Sequence, residues 1–289
     1  MANYKISTDA NGDLPQEYLV KNDVSVVYLS CLFDGVNYDE TNMIESSVFY
    51  KEMRAGKLPT TSQVNPDGAR RLFEKMLEGT NNILHIAFSS GLSGTYNSMR
   101  IAAEELMEER EGIEIIVIDS LCASLGLGLL VNKAVTMRDE GVEMKEAAKW
   151  LEEHKLNFLH GFTVDDLNHL YRGGRVSKLS AVIGTVANIK PVLKVNNEGK
   201  LVPCGKVRGR RKSLLALVTY MEEHMGDNLD NNKTVFISHG DALEDAEYVA
   251  NKIKEKFGIE DILINYIGPT IGAHSGPGTV ALFFYGNER

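Results

Sequence analysis

Apolar and polar positions recur in a fixed order along the first half of the chain. A short apolar run comes first, then a small, polar, glycine-bearing stretch, then apolar residues at helical spacing. The unit at residues 83–109 shows this most plainly. Ile83, Leu84, Ile86, Ala87 and Phe88 make a nearly continuous run that predicts a buried strand. Ser89, Ser90, Gly91, Leu92, Ser93, Gly94 and Thr95 follow. Met99, Ala102, Ala103, Leu106 and Met107 then recur at helical spacing, which predicts a helix over residues 96–109. The same order predicts strands at residues 4–7, 24–29 and 114–118, and helices at 16–20, 67–78, 125–138 and 143–154. A hairpin turn with its return strand is expected at 34–38, a helix at 46–54 with Ser46 as N-cap, and a loop at 59–66. Strands alternating with helices imply an α/β fold with a parallel sheet covered on both faces.

The pattern changes beyond residue 157, so the expected domains are residues 1–157 and 158–289. In the second, a strand at 158–163 leads to a short helix at 164–171, a turn at 172–175 and another short helix at 177–187. A β-hairpin is expected from 190–195 and 200–204 around the turn Asn196-Asn197-Glu198-Gly199. Amphipathic helices at 212–225 and 243–257 and strands at 234–238, 262–267 and 279–285 complete it, with a glycine- and proline-rich loop at 268–278. Gly126 and Gly128 weaken the apolar helix at 125–138 on propensity, and close packing against a neighbour is the economical reason for them.

The chain has 289 residues, 43% hydrophobic and 25% charged, with a formal net charge of −9. That balance argues against non-specific nucleic-acid binding by the whole surface. Two basic clusters run against it: Arg172, Arg175 and Lys178, and the run from Lys206 to Lys212 that holds Arg208. Three cysteines far apart, Cys31, Cys122 and Cys204, show no metal spacing and no disulfide framework, which suits a reducing cytoplasm. The first residues lack the apolar run of a signal peptide, and no segment approaches the length of a membrane span.

Four loops share one composition, small and rich in hydroxyls: residues 8–15, 60–66, 89–95 and 119–124. In an α/β sheet, loops that follow parallel strands converge on one rim. Residues 89–95 also precede a helix, whose free N–H groups and positive end favour an anion such as a carboxylate or phosphate. With few lysines or arginines, these loops suit a weakly charged group better than a polyphosphate. No G-x-x-x-x-G-K-[ST] is present, and no G-x-G-x-x-G opens a helix after the first strand, so nothing points to a nucleotide site. Gly91-Leu92-Ser93-Gly94-Thr95 falls one residue short of a G-x-S-x-G nucleophile elbow. Ser93 with His274 as base is the esterase or thioesterase alternative, but no acid is placed to complete a triad. His239-Gly240-Asp241 after a strand reads as a helix start capped by Asp241 rather than as a metal site.

Taken in order, these stretches resemble the DegV family of bacterial fatty-acid-binding proteins along almost the whole chain. The matching segments are Thr8-Asp9 through Asp13-Leu14-Pro15, Thr61-Ser62-Gln63, Ser89 through Tyr96, Val117-Ile118-Asp119-Ser120, and Gly126-Leu127-Gly128. They continue with Leu170 through Gly173-Gly174-Arg175, His239-Gly240-Asp241, and Ile267-Gly268-Pro269 through Gly278. Ala10 and Val64 depart from the family pattern, which has Ser and Pro there. The resemblance implies two α/β domains, the second with a mixed or antiparallel sheet, and one long-chain fatty acid such as palmitate, stearate or oleate between them. It implies that Thr61, Ser62, Ser93, Gly94 and His274 hold the ligand, and that Arg172, Arg175 and Arg208 lie near the carboxylate or on a partner-facing surface. It further implies no catalytic residue, no metal and no cofactor. The role implied is the acyl-carrying subunit of a cytoplasmic fatty acid kinase in phospholipid metabolism, with ATP bound by a separate partner. A third reading is a kinase subunit that binds a sugar or ketone through His274.

Overall fold

Strand β1 (Lys5–Asp9) is buried at four of its five positions, because it lies in the middle of a sheet. It pairs in parallel with β2 (Val24–Val27) on one side and β6 (Asn82–Ala87) on the other, and β7 (Glu114–Asp119) pairs with β6. The order β2-β1-β6-β7 is the parallel sheet that the repeating pattern implies. The computed structural model that shows this describes residues 3–177, 188–287 and 289. The helix expected at 177–187 lies outside the described residues, apart from Ser177.

Helix α5 (Leu125–Asp139) organises the layers. Ten of its fifteen residues are buried, with apolar side chains all round. A helix of that kind needs cover on every side, and α5 packs between two sheets, touching β1 and β6 of the first and three strands of the second. The second sheet has the order β10-β9-β8-β13-β11-β12. Its strands are β8 (Phe158–Thr163), β9 (Ile189–Val195), β10 (Leu201–Arg208), β11 (Thr234–His239), β12 (Asp261–Tyr266) and β13 (Val280–Tyr285). It is mixed: β11 and β12 are parallel, and the other pairings are antiparallel.

Helices α3 (Pro66–Leu77) and α4 (Thr95–Glu109) cover the outer face of the first sheet through Phe73, Met99 and Leu106. Helices α8 (Arg210–Met225) and α9 (Leu243–Phe257) cover the outer face of the second. Along β13 the alternation is strict, with Leu282 and Phe284 toward α8 and α9 and Ala281 and Phe283 toward α5. The glycines of α5 are where it comes closest to its neighbours: Gly126 lies against the imidazole of His160 on β8, and Gly128 against Gly12. Helices α1 (Gln16–Lys21), α2 (Ser46–Arg54), α6 (Met144–His154) and α7 (Asn168–Arg172) are the remaining described helices before α8.

Several local expectations differ from the structure. Residues 60–62 are not loop but strand β5 (Thr60–Ser62), paired with β3 (Ser30–Phe33), which also pairs with β4 (Val36–Tyr38). Its ladder comes from a strand thirty residues earlier, and no local pattern announces that. Residues 269–275 are not loop but helix α10 (Pro269–Ser275), with Pro269 at its first position and Gly276 at its C-cap, φ 79°. Ser46 is the first residue of α2 (Ser46–Arg54), not its cap. Asp241 caps nothing; its carboxylate accepts from Arg54 Nε at 2.9 Å, and the Ala242 N–H donates to His239 Nδ1.

The two halves are joined by buried polar groups as well as by α5. A 3₁₀ turn (Ala10–Gly12) after β1 ends at Asp13. The Asp13 carboxyl accepts from the Gly268 N–H at 2.9 Å and bonds the Ser124 hydroxyl, while its carbonyl accepts from Asn265 Nδ2 at 2.8 Å. Nearby, Asp9 accepts from the N–H groups of Phe88 and Asn11. Burial pushes both carboxyls up to about 7, against the hydrogen bonds that lower them.

A carboxyl whose pKa is raised on folding holds its proton more tightly in the native state than in the unfolded chain. Its contribution to stability is full below about pH 4 and is lost as pH rises through about 7. Asp13→Asn copies the protonated form, accepting from Gly268 and donating toward Ser124. The fall in thermal midpoint between pH 4 and pH 7 is expected to be shallower in this variant than in the parent. Equal slopes in a pH series of melts would remove Asp13 from this role.

Candidate ligand-binding site

A cavity of about 220 Å³ lies where the two halves meet. All four hydroxyl-rich loops reach it: Asn11 from the first, Thr61 and Ser62 from the second, Ser93 and Gly94 from the third, Ser124 from the fourth. The second half contributes β8, β9, β10, β13, α7 and α10. Phe162, Val195, Leu201, Ala281 and Phe283 form much of its apolar wall.

The polar end is built around Thr61 and His274. Thr61 stands opposite Cys31 in the small sheet, and His274 projects from α10. The Thr61 hydroxyl and His274 Nε2 are 2.7 Å apart. Burial, and then the nearby Arg175 charge, push the His274 pKa down to about 4, so the ring is neutral at pH 7. Gly173 lies against this ring, and a Cβ there would collide with Nδ1.

Ser93 lies in the turn before α4. Its hydroxyl is 3.0 Å from that of Thr95 and accepts from the Thr95 N–H at 3.3 Å, and Thr95 Oγ1 in turn accepts from the Val64 N–H. The turn is held from three directions. Ser89 Oγ donates to the Gly199 carbonyl in the β9–β10 hairpin at 2.8 Å, and the Ser90 N–H donates to Asp119. The Gln63 carboxamide lies directly on Gly94, where any side chain would displace it.

Arg175 lines the cavity and is half-buried. Its guanidinium donates to the carbonyls of Leu92, at 3.2 Å, and Gly173. It has no carboxylate partner among the described residues. Buried cations ordinarily have one. The other two arginines named from the sequence do not line the cavity. Arg172 is exposed and donates to His169 Nδ1 at 3.0 Å. Arg208 is exposed at the end of β10, with no side-chain hydrogen bond or ion pair among the described residues.

The esterase pairing is not formed. His274 engages Thr61, Ser93 engages Thr95, and no hydrogen bond joins Ser93 to His274. Among the described residues no group of three or more His, Cys, Asp or Glu is arranged to hold a metal. Sequence reasoning missed His160, which also lines the cavity. Its Nδ1 donates to the Phe158 carbonyl and its Nε2 accepts from the Ala123 N–H at 3.1 Å, with burial holding its pKa well below the usual range. In the sequence it is one polar residue inside an apolar strand, and nothing there separates wall from core.

A family model described as "Uncharacterised protein, DegV family" matches residues 3–287. A DegV domain-containing protein of Clostridium perfringens (strain 13 / Type A) is 42% identical over 291 residues, covering 100% of this chain and 99% of its own. Among solved structures, a fatty-acid-binding DegV family protein of Thermus thermophilus superposes with a TM-score of 0.87 at 28% identity, covering 98% of this chain and 99% of its own. A "fat acid (stearic acid)-binding protein" of Eubacterium ventriosum gives a TM-score of 0.87 at 26% identity, with 98% of both chains covered.

The electrostatics of the polar end can be read directly by NMR. His274 is expected to titrate near pH 4, and nearer the ordinary histidine value in Arg175→Ala, where one of the two depressing influences is gone. A parent titration at or above pH 6.5 would contradict the buried, cation-flanked environment.

Proposed function

The chain belongs to the DegV family, and from that premise we propose that it holds one long-chain fatty acid in this cavity and presents the carboxylate at Thr61, Ser62, Ser93 and Gly94. The observation that carries the reading is the pairing of Arg175, a cation with no carboxylate partner among the described residues, with hydroxyl donors at one end of a cavity whose other lining is largely apolar. A fatty acid has that division. The apolar wall supplies most of the affinity, at about 0.8 kcal/mol per methylene buried. The polar end supplies orientation.

His274 acts through Thr61. A carboxylate only accepts hydrogen bonds, so Thr61 must donate to it. The neutral His274 ring then donates its Nε2–H to Thr61 Oγ1, which fixes the direction of the hydroxyl. Residues 1–157 supply the carboxylate-holding loops, and residues 158–289 supply His274, Arg175 and most of the acyl wall.

The protein is a carrier rather than a catalyst in this reading. Hydroxyls and a carbonyl-bound guanidinium hold the carboxylate without neutralising it through a bidentate clamp. Its oxygen stays nucleophilic toward a phosphoryl group delivered by a separate ATP-dependent fatty acid kinase. The absence of a nucleotide motif from the sequence fits ATP on the partner, and exposed Arg172 and Arg208 suit the surface facing it. Three free cysteines suit a reducing cytoplasm. No helix among the described residues is long and apolar enough to cross a membrane.

Lipid extracted from natively purified protein is expected to contain a C16 or C18 fatty acid by mass spectrometry. Protein that carries none, and takes up neither palmitate nor oleate after delipidation, would end this reading. A hydrogen bond to a charged group is worth about 1.5–3 kcal/mol, so Ser93→Ala and Thr61→Val are each expected to weaken oleate binding roughly tenfold or more. Acyl-phosphate yield with a fatty acid kinase is expected to fall with them. Unchanged affinity and yield would take that residue out of the site.

A further inference from the structure

Ser275 follows His274 at the end of α10 and lines the same cavity. It is 6% exposed, and its hydroxyl has no hydrogen-bond partner among the described residues. The other buried hydroxyls of the lining do have partners. Ser124 bonds Asp13 and lies 2.9 Å from the Ser238 hydroxyl, and Thr279 donates to the carbonyls of Ser275 and Gly276. The remaining unpartnered buried side-chain atoms among the described residues, on Tyr4, His85, Arg210 and Tyr220, belong to residues that do not line this cavity. A serine in a helix can bond back to the carbonyl four residues earlier. Ser275 makes no such bond.

An orphaned buried hydroxyl carries a desolvation cost that a ligand oxygen can remove. Serine turns its hydroxyl about a single bond among three staggered positions, and the residue lines the cavity. Its place along the ligand follows from the chain. Consecutive Cα atoms lie about 3.8 Å apart, and His274 is fixed at Thr61, where the carboxylate sits in the fatty-acid reading. Ser275 is the chain neighbour of His274 and lines the same cavity, which places it toward the carboxylate end of the ligand rather than the methyl end. A purely aliphatic chain offers nothing to bond there.

We propose that the cavity takes long-chain acids bearing an oxygen substituent, a hydroxyl or keto group, close to the carboxylate, and that Ser275 is the hydrogen-bond partner of that oxygen. This rests on the fatty-acid reading above. Sites built to bond a substrate hydroxyl discriminate against the analogue that lacks it more strongly than apolar pockets discriminate by size.

Delipidated full-length protein would be titrated with palmitic, 2-hydroxypalmitic and 3-hydroxypalmitic acids, by displacement of a fluorescent fatty acid, in the parent and in Ser275→Ala. The parent is expected to bind at least one hydroxy acid about fivefold or more tighter than palmitate. In Ser275→Ala the ratio of hydroxy-acid to palmitate affinity is expected to fall to about one. The thermal midpoint of the unliganded variant stays level or rises, because an unpartnered polar group has gone. No preference in the parent overturns the proposal, as does a preference that survives Ser275→Ala. Equal weakening of all three acids also overturns it and makes Ser275 a donor to the carboxylate. Failure of the parent to bind any of the three, or oleate titrated in the same way, brings down the fatty-acid reading itself, an outcome separate from the loss of preference.

Discussion

One carboxyl group ties the two halves of this protein together. Asp13 stands at the end of the turn after β1, in a left-handed backbone conformation with φ 48°. From there it reaches the start of α10 through Gly268, the start of α5 through Ser124, and β12 through Asn265. With the Tyr50 hydroxyl on the Ile267 carbonyl and Thr270 on Asn11, this group holds α10, which carries His274, over the first half. Burying a carboxyl without a cation is costly. The cost is met by two routes here, hydrogen bonds from fixed donors and a pKa raised until the group holds its proton near neutrality.

Helix α5 imposes the second constraint. Being apolar on every side, it cannot lie on a surface, and it is shared by both sheets instead. The protein is therefore layered as helices, sheet, helix, sheet, helices. The cavity opens beside the first turn of α5, where Ala123 and Ser124 line it. Polar loop ends gather there from the first half, and apolar strand faces meet them from the second. That juxtaposition gives the cavity its two chemistries.

Charge completes the arrangement. Arg175 has no carboxylate partner among the described residues and is oriented by two carbonyls, so its charge remains available at the polar end. The same charge helps hold His274 neutral. A neutral imidazole orients a threonine hydroxyl without adding a second cation. A carboxylate at this end would be attracted and directed without being locked in a bidentate pair.

The sequence by itself determined the alternation of strands and helices in the first half, the apolar α5, the β9–β10 hairpin and the concentration of hydroxyls at strand ends. These are local properties, set by periodicity, glycine placement and turn chemistry. It also brought Thr61, Ser62, Ser93, Gly94 and His274 forward as one group, through the order of motifs that resembles a family rather than through any single spacing. Only the tertiary structure decided that residues 60–62 are a strand, because their partner is β3 and pairing is not local. Only it separated Arg175, inside the cavity, from Arg172 and Arg208, outside it, since all three lie in basic runs that read alike. The cavity-lining places of His160 and Ser275 were also decided there. Whether a buried polar group is satisfied depends on which atoms from distant segments come within hydrogen-bond reach, and a linear chain does not carry that information residue by residue.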